Sequence, residues 1–524
     1  MITEDQSDVV AFLASPSTHD GAIVERIETH ASIVFLAGRR ALKLKRAVRY
    51  DYLDFSTIER RRAMCEAEVR INRRTAPDLY RGVVAVTRQP DGSLALGGSG
   101  RPLDWLVEMV RFDQDGLFDR LAASGALDLS LMPSLAMAIA RFHESAEQRS
   151  DHGGAAGMAW VVDGNAAGFA EQGVGILEPF ACADLTRTSR EQLERLMGLL
   201  DARRDGGSVR QCHGDLHLRN IVLLDGRPTL FDAIEFNDEI ACTDVLYDLA
   251  FLLMDLWRRQ LPRHANAVWN GYLAEASDFG GIPLLPLFLS CRAAVRAKTS
   301  ATAATLQTDA QRRRELQETA RDYLAMAQRL LQPPRACLIA IGGPSGSGKS
   351  TVAKALAPLV GAVPGAAVMR SDETRKQVCG VDAFRRLGPE GYTADITERV
   401  YATIAQRAGQ VAAGGHAAIV DAVYARQADR EAIERVAVAA RVPFAGIWLD
   451  APESVLIARA GRRHLDASDA DATVIREQLA RDTGAITWDR IDASSAPDEV
   501  LQAATDMLRG RLKNGLIRFV LQAA

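Results

Sequence analysis

The sequence predicts two modules of different class, an α+β module of two lobes followed by an α/β module whose parallel sheet is flanked by helices. Three observations carry this. Strand-like alternation dominates up to about residue 108, helical spacing follows, and after Gln332-Pro333-Pro334-Arg335 strands and helices alternate. At 524 residues the chain is also too long for one ordinary core.

In the first lobe, SIVFLAG at 32–38 and ALKLK at 41–45 read as strands joined by a short basic turn. STIERRRAMCEAEVRINRR changes to helical spacing, and GVVAVTRQPDGSLALGG returns to strand, turn and strand around Pro-Asp-Gly. After the apolar WLVEMVRF at 105–112 the second lobe is mainly helical, interrupted by a hairpin, IVLLDGRPTLFD, that turns at Asp225-Gly226. An amphipathic stretch at 309–331 precedes the proline break. The expected domains are therefore 1–332, with lobes of about 1–108 and 109–332, then 336–510, then a tail at 511–524.

Composition narrows the function classes. With 48% hydrophobic and 25% charged residues the chain is globular in character, and its net charge of -4 exerts no general pull on nucleic acid. Seven scattered cysteines, never spaced Cys-x-x-Cys, suggest neither a disulfide framework nor zinc. The amino terminus MITEDQSD is acidic and no apolar run reaches membrane-spanning length, so the expected setting is cytoplasmic, with no membrane partner.

The strongest motif is CLIAIGGPSGSGKSTVAKALAPLV: a buried strand, a glycine-rich turn and a helix, with Gly343, Gly348, Lys349 and Ser350 at the spacing G-x-x-x-x-G-K-[ST]. Glycines let backbone amides approach phosphate oxygens, Lys349 reaches the β/γ-phosphates of ATP, and Ser350 can ligate Mg²⁺. Ser345, Gly346, Ser347 and Thr351 complete the expected nucleotide contacts. Downstream, VMRSDETRKQV puts Asp372 at a strand end and Arg375 on the helix that follows. A carboxylate there can orient or deprotonate an acceptor hydroxyl while the guanidinium binds substrate or the moving phosphate, although Asp372 could instead cap its helix. Asp421, ending AAIVD, is a candidate Mg²⁺ carboxylate, and Asp450 reads as structural. Arg459, Arg462 and Arg463 suit an element that closes over ATP, or an ordinary solvated helix face.

A second constellation lies upstream. In CHGDLHLRNIVLLDGRPTLFDAIEF, Asp215 can take the acceptor proton, while Asn220 and Asp232 hold Mg²⁺. Lys43 and Lys45, two apart on one strand, face the same way, and either could be the phosphate lysine, with Lys43 preferred. Glu68, ahead of Glu66, is the carboxylate expected to hold that lysine. Asp225 belongs to a turn, and Asp244 and Asp248 read as one helix face that stabilises the lobe. His213 and His217 lack a third metal ligand, so His213 reads as a structural hydrogen-bonder.

On GGPSGSGKST, SDETR and the arginine-rich segment before ASDAD, residues 336–510 resemble P-loop kinases of the gluconate kinase, zeta-toxin and polynucleotide 5′-kinase kind, a P-loop NTPase fold. The resemblance implies Asp372 as base and the arginines as lid. On ALKLK, the Glu68 helix, WLVEMVRF and HGDLHLRN with LFD, the first part resembles the aminoglycoside phosphotransferase and choline kinase superfamily. That implies a protein-kinase-like two-lobed fold with adenine near Glu108, Met109 and Val110, yet no glycine-rich loop is evident at 20–38. The pairing resembles a bacterial family described as aminoglycoside phosphotransferase-like ATP-binding proteins. Together these imply a Mg²⁺- and ATP-dependent kinase, bifunctional, for hydroxyls of small polar metabolites, sugars or aminoglycoside-like compounds. The alternatives are a polynucleotide or tRNA end kinase in the second half, and an ATP-gated switch with a non-catalytic first half.

Overall fold

The structure is a computed structural model that describes residues 2–50, 52–382, 385–461 and 469–512. It divides into two compact units, Met1–Trp160 with Met197–Asp255, and Val161–Leu196 with Leu256–Ala524.

In the first unit an antiparallel sheet runs in the order Val24–Glu28, Ser32–Ala37, Arg40–Lys45, Arg101–Val110, Tyr80–Arg88, Leu94–Leu96. Period-2 alternation gives the sheet two different faces. Leu42 and Leu44 pack with Phe35, Leu106 and, from the helix Ser7–Ala14, Val9 and Leu13. Ala41, Val107 and Met109 pack on the opposite face against Cys65 and Val69 of the helix Ile58–Asn72. Lys43 and Lys45 alternate with Leu42 and Leu44, so the pleat turns both toward that helix, which carries Glu68. The predicted hairpin is present as Ile221–Leu224 paired with Arg227–Leu230, and Asp225 takes a left-handed turn conformation. One expectation changes: Asp244 is not on a helix face with Asp248. It ends the strand Cys242–Asp244, which pairs with Val209–Gln211, and the helix Val245–Arg258 begins after it.

In the second unit, among the described residues, five parallel strands run in the order Ala367–Arg370, Ala418–Asp421, Leu338–Gly342, Phe444–Asp450, Asp489–Asp492. Ile339, Ile341, Ile419, Ile447 and Leu449 are buried, as expected of strands covered on both faces. Register places Asp421 beside Arg370 on one side and Ile341 on the other, so the carboxyl ends of three strands meet where ligands of such sheets bind.

Compactness does not follow a single cut after Gln332, because the helices from Pro262–Ala276 to Ala310–Leu330 fall in the same unit as the parallel sheet. The reason is local. The sheet's edge strand Ala367–Arg370 needs hydrogen-bond partners, and Asn266 and Asn270 of the helix Pro262–Ala276 supply them at Pro364, Ala366 and Val368.

Candidate functional site

The first unit assembles a buried ionic cluster from a strand, a helix and a loop. Lys43 Nζ donates to Glu68 at 2.8 Å and to Asp232 at 2.6 Å, while Lys45 Nζ donates to Glu68 at 2.6 Å and to Glu235 at 2.5 Å. Both lysines thus use Glu68, which is fully buried. Burial alone would raise the Glu68 carboxyl, but the two ammonium groups outweigh it and hold it down at about 2. Burial prevails at Glu235, whose direct partner is Lys45, and raises it. Lys43 stays well above the usual lysine range because Asp232 and Glu68 outweigh its own burial. Two lysines against three carboxylates leave one net negative charge, a setting that accepts a cation.

The loop carrying Asp215 is held from behind. Asp248 accepts the N–H groups of His213 at 3.2 Å and Gly214 at 2.8 Å, and Asp255 accepts that of Leu218 at 3.1 Å. Gly214, at φ 81°, makes the turn. Asn220 Nδ2 donates to the Asp215 carboxylate at 3.0 Å and to its carbonyl at 2.9 Å, which fixes the two side chains together. His217 Nε2 lies 3.3 Å from Asp215. His213 is structural, as expected: its ring nitrogen meets the Phe231 carbonyl at 2.9 Å, and burial lowers its pKa toward the neutral form. The turn between Val24–Glu28 and Ser32–Ala37 has no glycine and is tightened by Thr29 Oγ1, which accepts from Ser32 N at 2.9 Å.

The second unit builds its site from backbone. Gly343 and Gly346 have positive φ, and a Cβ on either would lie 2.4 to 2.5 Å from the carbonyls of Leu449 and Leu456 respectively, so no other residue fits. Ser350 Oγ donates to Asp421 at 2.5 Å, and Arg370 lies 3.5 Å from the same carboxylate. Lys349 Nζ donates to the Pro344 carbonyl at 3.0 Å. Ser347 Oγ is buried without a hydrogen-bond partner among the described residues, and Ser345, Ser347 and Lys349 are all buried. Thr351 is exposed on the helix Lys349–Leu356. An unpartnered hydroxyl, a hydroxyl-carboxylate pair and a glycine-lined turn fit a polyphosphate and its metal.

Known proteins resemble both parts of the chain. A family described as "Phosphotransferase enzyme family" matches residues 59–282, and one described as "AAA domain" matches 338–483. An uncharacterised protein of Mycobacterium tuberculosis is 28% identical over 519 residues, spanning 95% of this chain and 98% of that one. The adenylyl-sulfate kinase of Myxococcus xanthus is 31% identical over 171 residues, 32% of this chain and 83% of that one. Through its carboxy-terminal half the chain belongs to the P-loop kinases. Among solved structures, a choline/ethanolamine kinase family protein from Mesorhizobium loti covers 62% of this chain and 95% of its own at 13% identity and a TM-score of 0.40. A gluconokinase from Sinorhizobium meliloti covers 35% and 95% at 22% identity and a TM-score of 0.25. The chain is a kinase with two modules, phosphotransferase-like and P-loop.

Within the P-loop kinase module the candidate residues sort unevenly. Asp372 lies in the first turn of the helix Ser371–Val378, directly after the edge strand, and Arg375 is on the same helix. Arg375 Nη1 donates to the Gly391 carbonyl at 2.9 Å and to Thr397 Oγ1 at 3.2 Å, its guanidinium covers the Tyr392 ring, and its buried Nε has no partner among the described residues. Arg459 does not present a free fork to the loop, because it donates to the carbonyls of Ala493 at 2.6 Å, Ser495 at 3.1 Å and Ser494 at 3.4 Å. Arg462 and Arg463 lie outside the described residues. Asp450 is structural, accepting from Trp448 and Arg490. Residues that sequence reasoning missed are Glu235, Lys376, Asp469 and Gln478. Lys376, almost wholly buried, donates to Asp469 at 2.6 Å and to the Arg385 carbonyl, and Asp469 also accepts from Tyr392 at 2.9 Å and Leu387 N at 3.0 Å. Only Glu235, three residues past Asp232, had a local signal.

Proposed function

We propose that the chain is a bifunctional ATP- and Mg²⁺-dependent kinase in which each module phosphorylates a hydroxyl of a small polar metabolite, a sugar or an aminoglycoside-like compound. The observation that supports it most is Lys43, bonded at once to Glu68 and Asp232, because phosphoryl transfer in the protein-kinase manner needs a strand lysine, its helix carboxylate and a metal carboxylate brought together. Asn220 and Asp232 would hold Mg²⁺ in the first module, and Ser350 with Asp421 in the second. When bound, the ion would neutralise phosphate charge.

Asp215, held by Asn220 Nδ2, would orient an acceptor hydroxyl and take its proton. Asp372 has that role in the second module, with Arg375 binding acceptor or transferred phosphate. In this reading the modules are 1–332 and 336–510 with a tail at 511–524. The seven free cysteines fit a reducing, cytoplasmic setting, and among the described residues no helix is long and apolar enough to cross a membrane.

Single-turnover assays with ATP against sugars, polyols, nucleosides and aminoglycosides test the proposal, with product masses read for wild type, Asp215→Asn and Lys349→Ala. Each variant should lose one activity and keep the other. If no pair of separable activities emerges, bifunctionality is wrong. A second reading, a first module that binds a ligand and gates the second, is favoured by the glycine-free turn at residues 29–31, where a phosphate-covering loop is expected. Nucleotide binding that survives Lys349→Ala but disappears with Lys43→Ala would exclude it.

A further inference from the structure

One hydrogen bond in the P-loop kinase module is made to a backbone N–H inside the glycine-rich turn. Gln478 Oε1 accepts the backbone N–H of Ser345, inside the glycine-rich turn, at 2.8 Å. Ser345 is buried, so its N–H needs an acceptor with or without nucleotide. In this structure a neutral side-chain amide oxygen serves.

The contact is built rather than incidental. The helix Ala472–Leu479 starts at Asp471, whose carboxylate accepts Thr473 N at 2.9 Å and Val474 N at 3.0 Å. Ile475, one turn before Gln478 on the same face, is fully buried, so Gln478 is on the inward side. Arg476 bonds Glu453 at 3.0 Å, which ties this helix to Glu453–Gly461. That second helix touches the turn as well, since the Gly346 backbone comes so close to the Leu456 carbonyl that a Cβ would stand 2.5 Å from it.

We infer that Gln478 is an internal stand-in for a phosphate oxygen, a residue that sets the nucleotide affinity of the P-loop module by competing for the Ser345 amide. The inference rests on the reading that this turn binds nucleotide. A backbone N–H has one hydrogen, so Gln478 must yield it before a phosphate oxygen can accept it. The phosphate oxygen is charged and the better acceptor, so nucleotide wins, at an affinity reduced by the lost bond. The helix Ala472–Leu479, joined to Glu453–Gly461, then moves or re-pairs Gln478 whenever nucleotide arrives, which makes this helix pair the reporter of occupancy.

The test measures MgADP binding to the full chain by calorimetry for wild type, Gln478→Ala and Gln478→Glu, each with and without Lys349→Ala. The part of the binding that Lys349→Ala removes belongs to this turn. Gln478→Ala should tighten that part about three- to tenfold, the weight of one neutral hydrogen bond. Gln478→Glu should weaken it by about tenfold or more, since a carboxylate holds the amide more firmly and repels phosphate. Unchanged or weaker binding by Gln478→Ala overturns the inference. Wild type with no Lys349-dependent binding overturns the nucleotide reading instead, and the inference with it. Amide exchange supplies an independent readout. Without nucleotide, Gln478→Ala should speed exchange at Ser345, and the difference should vanish at saturating MgADP. Exchange that is equal without nucleotide also sinks the idea.

Discussion

The two candidate sites are built by different means. In the first, ionised side chains meet one another in a buried cluster, with Lys43 and Lys45 on Glu68, and Asp232 and Glu235 at its edges. In the second, a backbone turn carries the buried Lys349, Ser350 Oγ donates to the Asp421 carboxylate with Arg370 nearby, and Gln478 satisfies the Ser345 N–H. The first arrangement holds its geometry by its own charges. The second leaves one backbone N–H, that of Ser345, on a neutral partner that a charged ligand can displace. A site of the first kind is coupled to the stability of its fold, and a site of the second kind to occupancy.

The largest expected effect tests that coupling. Lys45→Met leaves Glu235 and half of Glu68 buried without their cation, and breaking a buried ion pair costs about 3–5 kcal/mol. Urea unfolding should show that loss in the transition of the first unit. A loss under about 1 kcal/mol would mean that the cluster does not hold the lobe, and the comparison would break. Lys349→Ala is the matching change in the second module. It should lower ATP turnover at that site about 10²–10³-fold, as removal of one preorganised charge-stabilising group does, and leave unfolding nearly unchanged. An unfolding loss comparable to that of Lys45→Met would erase the contrast.

Acid should weaken both units through buried histidines whose pKa burial lowers, His213 in the first and His416 in the second, with the larger loss expected at His416. His416, fully buried with its Nε2 2.8 Å from the Gly365 carbonyl, is pushed by burial from 6.5 to about 4. Between those values the unfolded chain binds a proton that the folded unit refuses. Stability therefore falls as pH drops from about 6.5 to 4, by about 3 kcal/mol in all. Glu68 behaves as a depressed carboxylate, whose contribution is present above 4.5 and lost as pH falls toward about 2, with the raised Glu235 working against it. Unfolding measured from pH 7 to 4.5 should weaken the second unit more, and His416→Gln should flatten its profile. A profile that falls further in the first unit would contradict this assignment.

What the sequence made legible was whatever a local pattern encodes. Alternation in ALKLK placed Lys43 and Lys45 on one face, and helical spacing brought Glu68 to that face. The strand, turn and helix around residues 343–350 were equally plain. Three kinds of information were hidden. Pairing across long separations leaves no local trace, as with Gln478 on Ser345 or Asp469 on Lys376. Asp244 was misplaced because its strand exists only by pairing with Val209–Gln211 far upstream. Arg459 shows that a charge pattern says which residues are cationic but not where a long side chain goes, here to the carbonyls of residues 493–495.

The smallest expected effect concerns the edge strand Ala367–Arg370, which leads into Asp372. A parallel sheet would be extended there by another strand. Instead the helix Pro262–Ala276 offers Asn266 and Asn270, four apart and so on one face. Asn270 Oδ1 accepts Val368 N at 2.7 Å and its Nδ2 donates to the Ala366 carbonyl at 3.2 Å, while Asn266 Nδ2 donates to Pro364 and Ala366, each at 3.1 Å. Residues 366 and 368 are two apart, so their backbone groups point to the same edge of the strand. Two amide side chains thereby imitate the backbone of a missing neighbour. Asn270→Ala removes the acceptor of the Val368 N–H and should cost the second unit about 1–3 kcal/mol, leaving the first unit's transition in place. Amide exchange at Val368 should rise more than at Ile419, on the adjoining inner strand. If exchange rises equally at both, the helix supports the whole sheet rather than its edge, and the backbone-like role of Asn270 fails.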